Sequence, residues 1–314
     1  MAAFSINFCA LGGVADILFA KDWRRMRAWM LAAGVAMIGI QELVTLKFVD
    51  IGPPAAPTSW LAVIAGGVMF GYGMALSGGC INRALVRVGA GSLKSLFIVG
   101  VVCLTAAATA RVMGPPPLPL DPLPDPAPWA IAIVIGGELI AFALSDAWFR
   151  SDRTALAGSI LIGLAIPTAW AASTFMHDPA GVNFLASASD LVSLSPSADH
   201  PLARFLGVAI MAGVPAGAFL AAAMTGNLAF ETFTDRAEFL RNLVGASLMG
   251  VGGTLALGDT FGQGLSGLAA QSFTAPVAIA GMILGCLWGI RAFEAGGVWG
   301  GLKLTLTQLT KRGR

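Results

Sequence analysis

The stretch FGYGMALSGGC, residues 70–80, determines how the chain is interpreted, because an apolar run rich in glycine stops at Gly78-Gly79 and delivers a thiol. Nearly the same phrase returns as GVGGTLALGD, residues 250–259, at an offset of 179 residues. This offset aligns glycine with glycine and places Asp259 opposite Cys80. Two matching interrupted helices, one in each half of a membrane chain, are typical of a substrate-binding site in a transporter.

The composition indicates a membrane protein. Of 314 residues, 56% are apolar and only 11% are charged, and the mean hydropathy is +0.79. Soluble domains carry about 25% charged residues. The 40 glycines suit membrane helices that pack closely. The formal net charge of +2 is scattered and provides no basic face, so the expected partner is the lipid bilayer and not nucleic acid.

The hydropathy pattern predicts an all-α polytopic membrane protein with about nine transmembrane helices, some of them broken or re-entrant. A helix needs about 20 apolar residues to cross the bilayer. Runs that approach this length occupy residues 4–20, 27–48, 59–77, 93–113, 128–148, 155–176, 203–225, 240–257 and 273–293.

The distribution of basic residues predicts the orientation. If the amino end lies outside and the crossings alternate, sixteen of the 19 lysines and arginines fall on the inner side. Only Lys47, Arg111 and Arg204 fall on the outer side, which is the positive-inside pattern. We therefore expect a bacterial inner-membrane protein with a periplasmic amino end and a cytoplasmic carboxyl end. The amino end has neither a basic leader nor a convincing cleavage site, so no removable signal peptide is predicted.

The loops divide a single membrane domain, residues 1–314, into two pseudo-halves, 1–113 and 128–295. The proline-rich segment 114–127 cannot be helical and is predicted to be a stiff outer linker. Residues 296–314 are interpreted as a cytoplasmic tail.

A second long outer segment, residues 177–202, contains both histidines, His177 and His200, which are expected to be solvated. Its centre, residues 182–194, is interpreted as a short interfacial or re-entrant helix. Because no cysteine pair has metal-ligand spacing, no metal or other cofactor is predicted. The chain also lacks a phosphate-binding loop, so ATP-driven transport is not expected.

The predicted topology makes the two interrupted helices run in opposite directions, as in an inverted repeat. A polar stretch of small residues follows each break, INRALVRVGAGS after Cys80 and TFGQGLSGLAAQS after Asp259. Backbone freed at such a break, with the dipole of the next helix, favours an anion. The alternative interpretation is that the glycines only let helices pack closely.

Other ionisable and thiol side chains have simpler interpretations. Glu138 lies mid-span, where a structural polar contact is expected, and Glu42 lies towards the outer end of its span. The arginines after the first break are interpreted as anchors at the inner surface, with attraction of an anion as the alternative: Arg83 and Arg87. Cys103 and Cys286 lie in ordinary apolar runs and are interpreted as small core fillers.

Four stretches in combination resemble the YeeE/YedE family of bacterial sulfur-transport membrane proteins: FCALGGVAD (8–16), KDWRRMRAWML (21–31), GYGMALSGGC (71–80) and GVGGTLALGD with FGQGLSG (250–267). The resemblance runs over most of the chain and implies an hourglass-shaped thiosulfate importer with cysteine thiols at its waist. It implies a central thiol at Cys80 and an amino-terminal one at Cys9. Asp259 stands where the family has a third cysteine, and a carboxylate there lacks the S–H donor and repels a dianion if ionised.

We therefore predict a transporter, not an enzyme, that passes a small thiosulfate-like anion through a narrow pore by weak thiol and backbone contacts. Asp259 is expected to shape selectivity or coupling. The alternatives are a membrane thiol or persulfide relay protein, and a channel-like subunit that works with a soluble cytoplasmic sulfurtransferase. The predicted substrate-binding residues are Cys9, Gly78, Gly79, Cys80, Asn82, Gly258, Asp259 and Gln263, with no catalytic residue.

Overall fold

The structure, a computed structural model, describes residues 8–49, 59–113, 127–176, 181–193 and 201–295, with isolated positions 297, 299, 300 and 305. Within residues 8–295 of this set, the chain forms twelve α-helices and one π-helix, π1. They are α1 (Ala10–Phe19), α2 (Arg24–Thr45), α3 (Trp60–Ser77), α4 (Ile81–Gly89), α5 (Leu93–Met113), α6 (Ala127–Leu144), α7 (Ala147–Ser151), α8 (Arg153–Phe175), α9 (Phe184–Ser193), α10 (Pro201–Thr225), α11 (Arg236–Leu255), π1 (Gly262–Gly267) and α12 (Thr274–Glu294).

The all-α polytopic membrane fold is confirmed, but the count of nine crossings is not. Six described segments are long and apolar enough to span a bilayer: α2, α3 with α4, α5, α8, most of α10, and α12. Of the run at residues 4–20, the described part, residues 8–20, holds the ten residues of α1, which cover about 15 Å at the usual rise per residue. The apolar part of α6 is also short, Trp129–Leu144.

The contacts between helices form two sets that correspond to each other. α3 packs against α11 and α12, and α11 packs against α3 and α5. When α3 is matched with α11 and α5 with α12, the α3–α12 contact corresponds to the α11–α5 contact. The same matching pairs the α4–α10 contact with the π1–α2 contact, and the α1–α12 contact with the α9–α5 contact. The second set therefore begins at α9, while the pseudo-half boundary at residue 128 stays a prediction.

The glycines aligned by the repeat lie where helices cross. A side-chain carbon at Gly71 would come within 2.0 Å of the Met282 carbonyl oxygen, and one at Gly250 within 1.9 Å of the Thr105 hydroxyl. Two further aligned glycines are confined by a facing helix in the same way: Gly73 and Gly252. Close packing therefore explains these four positions, and the chemistry of the repeat lies at its two breaks.

The carboxyl end of α4 is fastened to the segment that precedes α11. The Ala229 amide donates to the Ala90 carbonyl at 3.0 Å, and the Lys94 amide donates to the Glu231 carbonyl at 3.2 Å. Arg87 also forms an ion pair with Glu231. These contacts hold α4 in place and fix its position relative to the break at its amino end.

The structure describes some of the predicted loops. Residues 184–193 of the segment 182–194 form the short helix α9, which packs against α5 and α10 with Phe184 and Leu185 buried. The linker 114–127, apart from residue 127 at the start of α6, most of the tail, His177 and His200 lie outside the described residues.

Candidate functional site

The first break follows from how α3 ends. Gly78 adopts a left-handed conformation with φ +70°, and the Gly79 amide donates to the Met74 carbonyl at 3.0 Å. This closes the helix in the way that glycine commonly does after a last turn. Cys80 then takes an extended conformation and precedes α4 as its N-cap residue. The glycine pair therefore places the Cys80 thiol at the beginning of a second, shorter helix.

A second thiol meets it there. Cys9 is the N-cap residue of α1, and its sulfur accepts from the Gly12 amide at 3.5 Å. Cys9 is 5% exposed and Cys80 is 1% exposed. The two thiols are in contact with each other, and the Cys80 thiol also contacts the Thr260 hydroxyl from the second break. The cysteines predicted to act together are therefore brought together.

Arg83 supplies a positive charge to this pair. Its half-buried side chain folds back so that the guanidinium contacts the Cys9 thiol. Gly79 makes room for it, because a side-chain carbon there would lie 2.8 Å from the Arg83 Cδ. Among the described residues, no carboxylate forms an ion pair with Arg83, whereas Arg87 is paired with Glu231. The anchor interpretation therefore fits Arg87, and Arg83 belongs to the site.

The second break is built differently. Leu257 and Gly258 both have positive φ, +62° and +156°. Asp259 is 0% exposed, and its carboxylate accepts from the backbone amides of Phe261 at 3.2 Å and Gly262 at 3.1 Å. The carboxylate therefore satisfies the first donors of the segment that leads into π1. In this position it caps the backbone of its own break.

Two polar side chains complete this second break. Gln263 donates from Nε2 to the Ala256 carbonyl at 3.0 Å and accepts from the Thr274 hydroxyl at 3.4 Å. Asn183 accepts from the first amides of α9 and donates to the Leu257 carbonyl at 3.4 Å. Asn183 precedes α9 as Cys9 precedes α1. The sequence pattern did not point to Asn183, because the 179-residue offset aligns only the segments around α3 and α11.

A comparison with known families agrees with this arrangement. A family model described as sulphur transport matches residues 6–119 and 130–288, which is most of the chain and includes both breaks.

The chain belongs to the sulphur transport family.

Two relatives are similar to it along nearly their whole length. The thiosulfate transporter TsuA of Escherichia coli (strain K12) is 25% identical over 314 aligned residues, which cover 89% of this chain and 87% of the relative. TsuA of Spirochaeta thermophila is 24% identical over 306 residues, which cover 89% of this chain and 91% of the relative. The similarity to these two relatives therefore extends over most of each chain.

A cavity of about 390 Å³ adjoins the first break of this family member. Its wall is mostly apolar and is formed by α8, α10 and the start of α9, with Asn82 and Phe261 at the breaks. The Phe261 ring packs edge-on against Phe8, at 5.8 Å between centroids, and against Phe184, at 5.3 Å. Asn82 supplies an amide to this mostly apolar wall, which also includes Thr168.

A smaller cavity of about 50 Å³ lies among α1, α2, α3, π1 and α12. It shares no lining residue with the larger one, and Thr260 forms part of its wall. Its sulfur-containing lining residues are Met26, Met74, Met282 and Cys286. Cys286 therefore shares a cavity wall with Thr260 of the second break, which its apolar sequence context does not indicate.

The remaining ionisable residues of the sequence argument lie away from this centre. Glu138 on α6 and Glu42 on α2 are exposed. Their carboxylates form no ion pair with the described residues, so the polar contact expected for Glu138 is not made within the described part of the chain. In that part there is also no group of three or more His, Cys, Asp or Glu side chains that could hold a metal ion.

Proposed function

We propose that this sulphur transport family member carries thiosulfate across the bacterial inner membrane without chemical conversion. The observation that supports this proposal is the buried contact between Cys9 and Cys80 beside the guanidinium of Arg83, which forms no ion pair within the described part of the chain. The names of the two relatives supply the substrate. The orientation is the one that the basic residues predict, with the amino end periplasmic.

The chemistry of the three side chains suits an anion that has a sulfur end and an oxygen end. Thiols are polarisable and are weak hydrogen-bond donors, so Cys9 and Cys80 suit the soft terminal sulfur. Arg83 balances part of the anion's charge through stronger, charge-assisted contacts. Weak contacts spread over several groups let the ion leave again, which transport requires.

The two cavities give the proposed path its direction. With the amino end outside, the larger cavity lies towards the periplasm, because it is lined by Leu206 and Ile210 in the first turns of α10. The smaller cavity lies towards the cytoplasm, because it is lined by Met26 and Trp29 at the start of α2. The anion would enter from the larger cavity, pass the thiols and leave towards the smaller one.

A thiol or persulfide relay is the second candidate, and the contact between two thiols favours it. Such a relay would transfer the terminal sulfur to Cys80 as a persulfide and release sulfite. A cytoplasmic sulfurtransferase would be the partner of either mechanism, since it would receive the anion or the sulfur at the inner face.

Uptake of radiolabelled thiosulfate by cells that lack their own importer tests the proposal. We expect Cys80→Ser and Cys9→Ser to lower the initial rate by about tenfold or more, since each removes one of two thiol contacts. Cys103→Ser is the matched control, because Cys103 is a buried thiol on α5 outside both cavity walls.

The result for each mechanism differs. If the protein is a transporter, the Cys80→Ser variant loses uptake, and the wild-type protein forms no persulfide. A relay forms a persulfide on wild-type Cys80 that a thiol-specific label detects. Uptake of every sulfur oxyanion at the wild-type rate in Cys80→Ser would overturn the site.

A further inference from the structure

The amino end of α4 has unused hydrogen-bond donors. The first amides of an α-helix have no partner within the helix, and a side chain at the N-cap position normally accepts from one of them. Cys80 occupies that position without a side-chain cap of hydrogen-bonding geometry, although its sulfur lies close to the Arg83 amide, so the Ile81 and Asn82 amides are the donors left at this end. The amino end of this nine-residue helix therefore presents its donors and the positive end of its dipole to the break.

Asn82 adds a donor that has no acceptor. It lies in the first turn of α4, it is 2% exposed, and its Nδ2 has no hydrogen-bond partner among the described residues. Asn82 also forms part of the wall of the larger cavity. A buried donor without an acceptor costs free energy, and a ligand that accepts from Asn82 would recover that cost.

The second break has the same kind of donors, but it fills them itself. The amides of Phe261 and Gly262 donate to the Asp259 carboxylate. Asp259 aligns with Cys80 in the repeat. A carboxylate that is part of the chain therefore takes the position that an anion would take at the first break.

We infer that the oxygen end of the transported anion binds at the amino end of α4, to Asn82 Nδ2 and the first backbone amides of that helix. The corresponding position of the second break is closed to the anion by Asp259, so each chain binds one anion at a time. The terminal sulfur then faces the Cys9 and Cys80 thiols. This inference rests on the proposed function, because it assumes an oxyanion with a sulfur end.

Thiosulfate binding to the purified full chain in lipid nanodiscs tests the inference. Asn82→Leu removes the donor and keeps a similar volume. We expect it to weaken thiosulfate binding by about ten- to a hundredfold, the usual loss for a hydrogen bond to a charged group. We also expect the ligand-free protein to unfold at a higher temperature, because an unpaired buried donor is gone. A residue with a purely structural role would lower that temperature.

Two further variants make the result decisive. Asn82→Ser also removes the amide and has a smaller side chain. It should weaken binding in the same way, and it provides the test if Asn82→Leu does not fold. Asn242→Leu is the matched control: Asn242 is 1% exposed, donates from Nδ2 to the Glu238 carbonyl at 2.8 Å, has an Oδ1 without a partner among the described residues, and lines neither cavity. It should leave the affinity for thiosulfate unchanged.

The outcomes separate this inference from the proposed function. If the wild type binds thiosulfate and both Asn82 variants bind it with an affinity within about twofold of the wild-type value, the inference alone is overturned. If the wild type binds sulfite or selenite instead of thiosulfate and the Asn82 variants lose that binding, the substrate is wrong and the inference stands. If the wild type binds none of these anions, both are overturned.

Discussion

The two breaks of the repeat share a frame and differ in chemistry. At the first break, Cys80 leaves the amino end of α4 uncapped, and the nearby side chains are a thiol, an amide donor and a guanidinium. At the second, Asp259 accepts from two backbone amides, and the hydrogen-bonding groups of Gln263 are used within the protein. This difference is the reason why we propose that the first break binds the anion and the second supports it.

The most severe test makes the first break resemble the second. Cys80→Asp introduces a carboxylate that would cap α4 and repel a dianion beside the other thiol. We expect thiosulfate uptake to fall by about a hundredfold or more, since like charges repel strongly in a buried site. Cys80→Ala, which loses only the thiol, should fall less. Equal uptake rates of the two variants, normalised to folded protein, would contradict the difference between the breaks.

Removal of the positive charge should have the next largest effect. Arg83→Gln leaves a polar side chain but no charge beside Cys9, and we expect uptake to fall by about tenfold. Arg87→Gln, one helical turn away and paired with Glu231, is the control and should change uptake by less than about twofold. Radiolabel uptake at several salt concentrations measures both, and a larger loss in Arg87→Gln would show that the charge acts elsewhere.

The reverse substitution makes the second break resemble the first. Asp259→Cys frees the two backbone amides and adds a thiol, so we expect uptake at low thiosulfate to rise by about threefold. The lost cap should lower the free energy of unfolding by about 1 kcal/mol. Asp152→Cys removes a cap of the same kind, at the start of α8, and should lower stability without any gain in uptake. A fall in uptake in Asp259→Cys would mean that the carboxylate itself takes part in transport.

The smallest expected effects come from the backbone of the two turns. Gly78→Ala meets nothing within 4 Å but must adopt φ +70°, which costs about 1 kcal/mol. Gly258→Ala has φ +156° and lies 3.1 Å from the Asn183 Nδ2, so it should cost more. Unfolding titrations in detergent measure both, with Gly100→Ala on α5, also without neighbours within 4 Å, as the control. A larger loss in Gly78→Ala would mean that the first turn is the tighter one.

Much of this frame is predictable from sequence. The pattern of apolar runs gave the helical membrane fold, and the alignment of residues 71–80 with 250–259 located both breaks. The helix before Cys80 ends at Gly78, as the glycine pair predicts, while the role of Cys80 in transport stays a prediction. The structural predictions succeed because hydropathy and glycine report on local structure directly.

Other features depend on which elements meet in space. The count of nine crossings is not confirmed among the described residues, where six segments are long and apolar enough to span a bilayer, because an apolar run need not be one continuous helix. Arg83 was assigned to the inner surface because sequence does not reveal that its side chain folds over Gly79 to reach Cys9. Asn183 was missed because its role comes from packing against Leu257, 74 residues away.

Likewise, the sequence shows a carboxylate at Asp259 but not which groups donate hydrogen bonds to it. Its two acceptor contacts lie within three residues along the chain, so a short-range capping pattern was available as a signal. The resemblance to a third cysteine drew attention to transport chemistry instead.

The most direct test of the account is a density map of the wild-type chain in nanodiscs with thiosulfate bound. The account predicts one anion at the amino end of α4, with its sulfur towards Cys9 and Cys80, its oxygens towards Asn82, and the Asp259 carboxylate still on the amides of Phe261 and Gly262. An anion on those amides with the Asp259 side chain displaced would contradict it.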